Sequence, residues 1–173
     1  MSTPIKIRVG DLKQLFNSID PSPFREKDLD PAAEEFIVEW AREAPRNAEL
    51  ELVVHVDRPD PDNKPDQLMD AIHEFFTTRA NATRTKLRLL FRNGRISLVI
   101  GIICMAASIA AGGVLEGWLN HTDFAGLLSE SILIGGWVAM WKPLEIFLYD
   151  WWPVRAEARL YDKLSRMPVR VQG

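Results

Sequence analysis

Ile96 to Leu115 reads ISLVIGIICMAASIAAGGVL, twenty residues without a charge. At 1.5 Å per residue a helix of that length covers about 30 Å, the hydrocarbon thickness of a bilayer. A chain of 173 residues has little soluble core in which to hide such a run, so 96–115 is expected to be a first transmembrane helix. Towards the C-terminus a second apolar run covers 127–148 and continues into Tyr149, Asp150, Trp151 and Trp152. Together the two runs predict a transmembrane hairpin over 96–152.

The flanks of the hairpin carry the charge pattern that orients such a segment. Arg79, Arg84, Lys86, Arg88, Arg92 and Arg95 precede it without an intervening acid, and Arg155, Arg159, Lys163, Arg166 and Arg170 follow it. The connecting stretch, Glu116 to Gly126, has no Lys or Arg. Basic flanks are retained on the cytoplasmic side during insertion, so both chain ends are expected there, with Trp118, His121 and Asp123 outside. Trp118 at one level, and Trp151 with Trp152 at the other, are placed as interfacial aromatics, beside Arg92, Arg95 and Arg155. Met1 to Arg8 offers no apolar core for a cleaved signal peptide, so insertion is expected to rely on the internal segments.

Small residues suggest how the helices pack. Ala106, Ala107, Ala110, Ala111, Gly112 and Gly113 crowd the end of the first, and Ser131, Gly135 and Ala139 recur every four residues in the second and so share a face on which backbones can approach closely. That packing serves either the hairpin itself or a contact between subunits. Lys142, Pro143 and Glu145 interrupt the second helix. A charge in hydrocarbon costs at least about 2.5 kcal/mol even on insertion scales, which makes these residues the candidate functional patch. Lys142 can also snorkel to the headgroups and pair with Glu145 at i, i+3. Pro143 removes the hydrogen bond to the carbonyl of Ala139 and favours a kink.

GGWVAMWKPLEIFLYDWWP (Gly135 to Pro153), with FNSIDPSPF (Phe16 to Phe24), resembles a family of bacterial two-helix inner-membrane proteins of unassigned activity. The resemblance implies a bacterial inner-membrane setting and brings no catalytic residue with it.

Upstream of the hairpin an α+β arrangement is expected. Ile5, Ile7 and Val9 alternate with Lys6 and Arg8 as a half-buried strand does, and Gly10 ends it. Leu12, Leu15, Phe16 and Ile19 are spaced for a short helix. Asp30 before Pro31 is a helix start, with Phe36, Ile37, Trp40 and Ala41 as the apolar face and Pro45 as the stop. Leu50, Leu52, Val54 and Val56 alternate through a second strand, followed by an Asp- and Pro-rich linker, Asp57 to Pro65. The order predicts a small β-α-α-β cytoplasmic domain over 1–65, a long basic juxtamembrane helix over 66–95, and a basic cytoplasmic tail over 153–173. Helices between the strands favour a parallel pair. Two strands alone would both be open edges, so the sheet is expected to be completed across a subunit boundary. Phe76, Ala80, Thr83, Leu87, Leu90 and Gly94 recur at steps of four and three, as in a weak coiled-coil seam or a helix lying on the acidic domain.

No catalytic, cofactor or metal site is expected. His55, His73 and His121 fall on separate segments, and Asp57, Asp60, Asp62 and Asp66 are interrupted by prolines and lack the glycine and terminal glutamate of a calcium loop. The single cysteine, Cys104, excludes a disulfide framework. The charge division, acidic before residue 78 and basic at the two membrane flanks, suits a bilayer partner and not a nucleic acid. The expected role is a non-enzymatic membrane subunit that self-associates or joins a larger assembly. The alternative is an oligomeric channel or transporter component using Lys142 and Glu145.

Overall fold

A computed structural model of the chain describes residues 2–17, 27–45, 48–57, 65–118 and 123–172. It is mostly helical, with a small three-stranded parallel sheet and two long apolar helices. It divides into two compact units, Met1–Arg84 with Ala156–Gly173, and Thr85–Arg155.

The first unit begins with strand β1, Ser2–Val9. A single 3-10 turn follows at Leu12–Leu15, capped by the Asp11 carboxylate, which accepts from the Lys13 amide at 3.0 Å. This turn is shorter than the expected helix, whose Ile19 lies outside the described residues. Phe16 leaves the turn extended, and a bridge from it to Leu29 closes the segment onto the start of helix α1, Pro31–Glu43. Asp30 is its N-cap, accepting from the Ala32 amide at 2.9 Å, with proline at the first position where no amide hydrogen is needed. The buried side of α1 is Ile37, Val38 and Ala41. Phe36 and Trp40, expected on that side, are instead 40% and 47% exposed and lie against each other.

Strand β2, Glu49–Val56, pairs with β1 in parallel, Ile5 opposite Leu52 and Ile7 opposite Val54, as the intervening helix requires. The expectation that another subunit completes this sheet is not met at β2. Strand β3, Val169–Gln172, lies parallel on its other side, Leu52 opposite Val169 and Val54 opposite Val171, so β2 is central. The region read as a basic tail is therefore helix α4, Trp151–Leu164, followed by a strand. Leu52, Val53 and Val54 are all buried, and such an unbroken apolar run marks a strand covered on both sides. Alternation along Leu50 to Val56 drew attention away from it.

Ile5 and the even-numbered positions of β2 share one core with Leu68, Ala71, Ile72, Phe75, Phe76 and Ala80 of helix α2 and with Tyr161 and Leu164 of α4. Helix α2, Pro65–Trp118, is one helix of 54 residues where a juxtamembrane helix and a first membrane segment were expected in succession. No proline interrupts it after Pro65, and Gly94, a poor helix former at the junction, is kept helical where its missing side chain lets Ile146 pack close. The seam read from Phe76 to Gly94 is used within the chain: Phe76 is fully buried and stacks on Tyr161 at 6.2 Å, while Ala80 and Thr83 are buried in the same unit. Three ion pairs join the helices around this core, Arg79 to Glu34 at 2.7 Å, Arg84 to Asp162 at 2.7 Å and Arg42 to Glu157 at 3.7 Å. His73 Nε2 contacts the carbonyl oxygen of Met167 at 2.7 Å and so ties α2 to the approach to β3.

The second unit is an antiparallel pair, the later part of α2 against α3, Asp123–Glu145. A π turn, Ile146–Asp150, links α3 to α4.

Candidate functional site

The seam of the helix pair is built on glycine. A Cβ on Gly94 would meet Ile146 at 2.8 Å, one on Gly101 would meet Met140 at 2.8 Å, and one on Gly112 would meet Ser129 at 2.6 Å. In return Gly136 faces Ser108, whose Oγ would lie 2.8 Å from a Cβ, and the Met105 backbone at 3.3 Å. Gly94, Gly101 and Ser108 are seven apart, as are Ser129 and Gly136, so the contacts keep to one line along each helix, as in left-handed packing. Of the small residues expected to pack, Gly112 lies in this seam and Ala139 reaches it through its carbonyl near Gly101. Pro143 has no amide hydrogen to offer that carbonyl, and the missing side chain of Gly101 makes room for it. Ala107, Ala111, Ser131 and Gly135 are exposed, and a Cβ on Gly135 would meet nothing within 4 Å. Four-residue spacing pointed to them. Of the seam glycines only Gly94 and Gly101 are seven apart, and Ser108 and Ser129 complete the line.

Lys142 and Glu145 pair on the outer side of α3, Nζ to Oε2 at 2.9 Å, and their side chains are 64% and 41% exposed. Pro143 between them points the other way and is fully buried. The helix does not stop there but loosens, three residues later, into the π turn. Within that turn the Phe147 carbonyl accepts from Trp151 Nε1 at 2.9 Å, so an indole supplies a donor where the helical pattern changes. A shallow apolar groove beside Lys142 is lined by Ile134, Trp137, Val138 and Trp141.

Aromatic rings gather at the opposite end of the pair from Trp118. Phe91 lies 6.2 Å from both Phe147 and Trp151, Trp151 lies 4.8 Å from Trp152, and the Arg155 guanidinium stands 5.5 Å over the Trp151 ring. Arg92, Arg95 and Arg155 are exposed, as is Trp152, while Trp151 is half-buried. Trp118, at the far end of α2, is 86% exposed. Two basic segments some sixty residues apart in sequence thus meet at one end of the pair. The residues 119–122, with His121, lie outside the described residues.

Comparison with protein-family models, curated proteins and solved structures finds no match. The chemistry therefore has to be read from the side chains alone. Among the described residues no group of three or more His, Cys, Asp or Glu could hold a metal ion. Cys104 is exposed on α2. In the first unit the Tyr161 phenol is raised above its ordinary range, first by burial and then by Glu157 and Glu34, with Arg79 and Arg42 opposing. Its neighbours form the ring of helix-joining ion pairs, which marks it as part of the core.

Proposed function

We propose that the chain is a non-enzymatic integral membrane subunit of a bacterial inner membrane that self-associates or scaffolds a larger assembly, with both ends cytoplasmic. The observation that carries the membrane reading is exposure. Both α2 and the run through α3 are long and apolar enough to cross a membrane, and only 11% and 17% of their most apolar windows are buried. Ile100, Ile103, Ile109, Val114, Leu127, Ile134, Val138 and Leu148 all face outward. A core helix of a soluble protein would be covered, and contiguous apolar surface of this extent is rarely left to water. Lipid covers it without further contacts. Meeting of the basic flanks at one end supports a common, cytoplasmic side for the chain ends.

Self-association is supported by Ala107, Ala111, Ser131 and Gly135, which the helix pair leaves on its outside, where close approach by another helix is sterically easy. Strand β3 occupies the edge of β2 that a second subunit was expected to fill, so the sheet no longer argues for it. Fractionation of expressing cells tests the membrane reading: the protein is expected in membranes washed with alkaline carbonate and released only by detergent. Recovery in the soluble fraction would end it. Native mass of the detergent-released protein then tests self-association, a monomer being the adverse result.

A second reading, a component of an oligomeric channel or transporter, is favoured by the Lys142–Glu145 pair on an exposed face of α3. Lys142→Leu separates the two. Normal insertion and assembly are expected if the lysine snorkels, since its removal relieves a desolvation cost. Loss of ion flux with assembly intact would favour the channel.

A further inference from the structure

Among the described arginines two sets stand out, while Arg159 and Arg166, exposed in the first unit without an ion pair, belong to neither. In the first unit Arg8, Arg42, Arg79, Arg84 and Arg170 each face a carboxylate, of Asp57, Glu157, Glu34, Asp162 and Glu51 respectively. In the second unit Arg88, Arg92, Arg95 and Arg155 are exposed, and among the described residues none of them forms an ion pair. Arg88 donates to the Thr85 hydroxyl at 3.1 Å, and Arg155 rests on Trp151. Of the acids near in sequence, Glu157 is taken by Arg42 and Glu145 by Lys142, and Asp150 is half-buried.

Arg88, Arg92 and Arg95 follow one another at steps of four and three, so they share one side of α2. Phe91, inside that row, touches Trp151, and Trp151 carries Arg155, which brings the fourth guanidinium to the same end. Exposed apolar surface begins at once beyond Arg95, with Ile96, Val99 and Ile100. The row therefore stands where a bilayer would change from hydrocarbon to headgroup.

We propose that Arg88, Arg92, Arg95 and Arg155 form a binding site for the phosphates of anionic phospholipids. Guanidinium is planar and weakly hydrated, and its donor fork matches two phosphate oxygens. Four such groups without counter-charge repel one another, and an anion between them removes that cost. Anionic headgroups supply it at the depth that Trp151 and Trp152 mark, since indole favours the interface. Zwitterionic lipids bring their own cation and neutralise the site less well. The site rests on the membrane reading above.

The test uses the full-length protein released in a non-ionic detergent and equilibrated with phosphatidylglycerol or with phosphatidylcholine, retained lipid being counted by native mass spectrometry. The wild type is expected to retain phosphatidylglycerol at least about tenfold better than phosphatidylcholine. Replacing all four arginines by glutamine should abolish the preference, and replacing them by lysine should keep most of it. Since all four side chains are exposed, helical circular dichroism should be unchanged. Should the quadruple glutamine variant lose that signal, Arg92→Gln with Arg95→Gln is read instead, and it should still lose preference. Inorganic phosphate at the same concentration should not displace the lipid. Equal retention of both lipids by the wild type, a glutamine variant that keeps the preference, a lysine variant as indifferent as glutamine, or displacement by free phosphate would each overturn the site. A protein found soluble without detergent would overturn the membrane reading and the site together, whereas a membrane protein without lipid preference would overturn the site alone.

Discussion

Gly135 and Gly136 are neighbours with opposite surroundings, which makes them a paired test of the seam. Beside Gly136 the Ser108 side chain and the Met105 backbone leave no space for a Cβ, whereas Gly135 meets nothing within 4 Å. Gly136→Val is expected to force the helices apart and to cost about 1–3 kcal/mol, as overpacking does. Gly135→Val should leave that stability near the wild-type value, read as the detergent denaturant needed to unfold each variant. Equal sensitivity at the two positions would place the seam elsewhere. Tyr161 permits a pH test in the first unit. Its phenol is raised by burial and then by Glu157 and Glu34, so the folded state holds the proton more tightly than the unfolded chain, whose phenol ionises near about pH 10. That contribution is fully present below about pH 10 and is lost as pH rises through the folded value. Thermal melts of the wild type should therefore fall more steeply above about pH 10 than those of Tyr161→Phe. Parallel curves would show that the phenol is not held in this way.

At the scale of elements, β3 is the part whose removal says most. Val169 and Val171 are half-buried against the core, and the Leu52 amide donates to the Pro168 carbonyl at 2.9 Å. Glu51 is buried on the sheet and receives Arg170 at 2.7 Å, a pair that also disappears with the strand. Truncation after Met167 is expected to expose the β2 edge, with amide hydrogen exchange of Leu52 to Val56 faster by about tenfold or more, since a lost buried hydrogen bond costs about 1–3 kcal/mol. Unchanged protection would mean that β3 contributes little to the sheet. Val54→Pro should act more strongly, because β2 is central and proline removes a ladder bond. Its effect is expected as unfolding of the first unit in an intact, membrane-inserted chain.

For the whole molecule the decisive question is which side each end faces. In a Cys104→Ser background, a cysteine at Asn120 or Thr122 is expected to react with an impermeant thiol reagent applied to intact cells, and one at Ser2 or Gln172 only after lysis. Outside labelling at the ends would reverse the orientation drawn from the basic flanks. Sequence reading found the elements that have a local signature: the Asp30–Pro31 helix start, the strands of β1 and β2 with their parallel pairing, and the two long apolar helices. It missed β3, which has only Val169 and Val171 as its alternating pair, too few residues to stand out. It left open whether Ser131, Gly135 and Ala139 serve the hairpin or a contact between subunits, because spacing alone fits either, and of the three Ala139 reaches the seam.

Taken alone, the sequence determined how long each apolar run is, where helices start, and which sign of charge lies beside them. These are properties of contiguous windows, set by side-chain hydration and backbone preference within a few residues. Tertiary structure alone decided that 169–172 completes the sheet, that Gly94, Gly101, Gly112 and Gly136 carry the helix seam, and that Arg155 joins Arg88, Arg92 and Arg95 at one end. Each of these depends on residues tens of positions apart. Strand pairing through backbone hydrogen bonds accepts many sequences, and close helix packing needs only the absence of a side chain, so neither writes a strong local pattern.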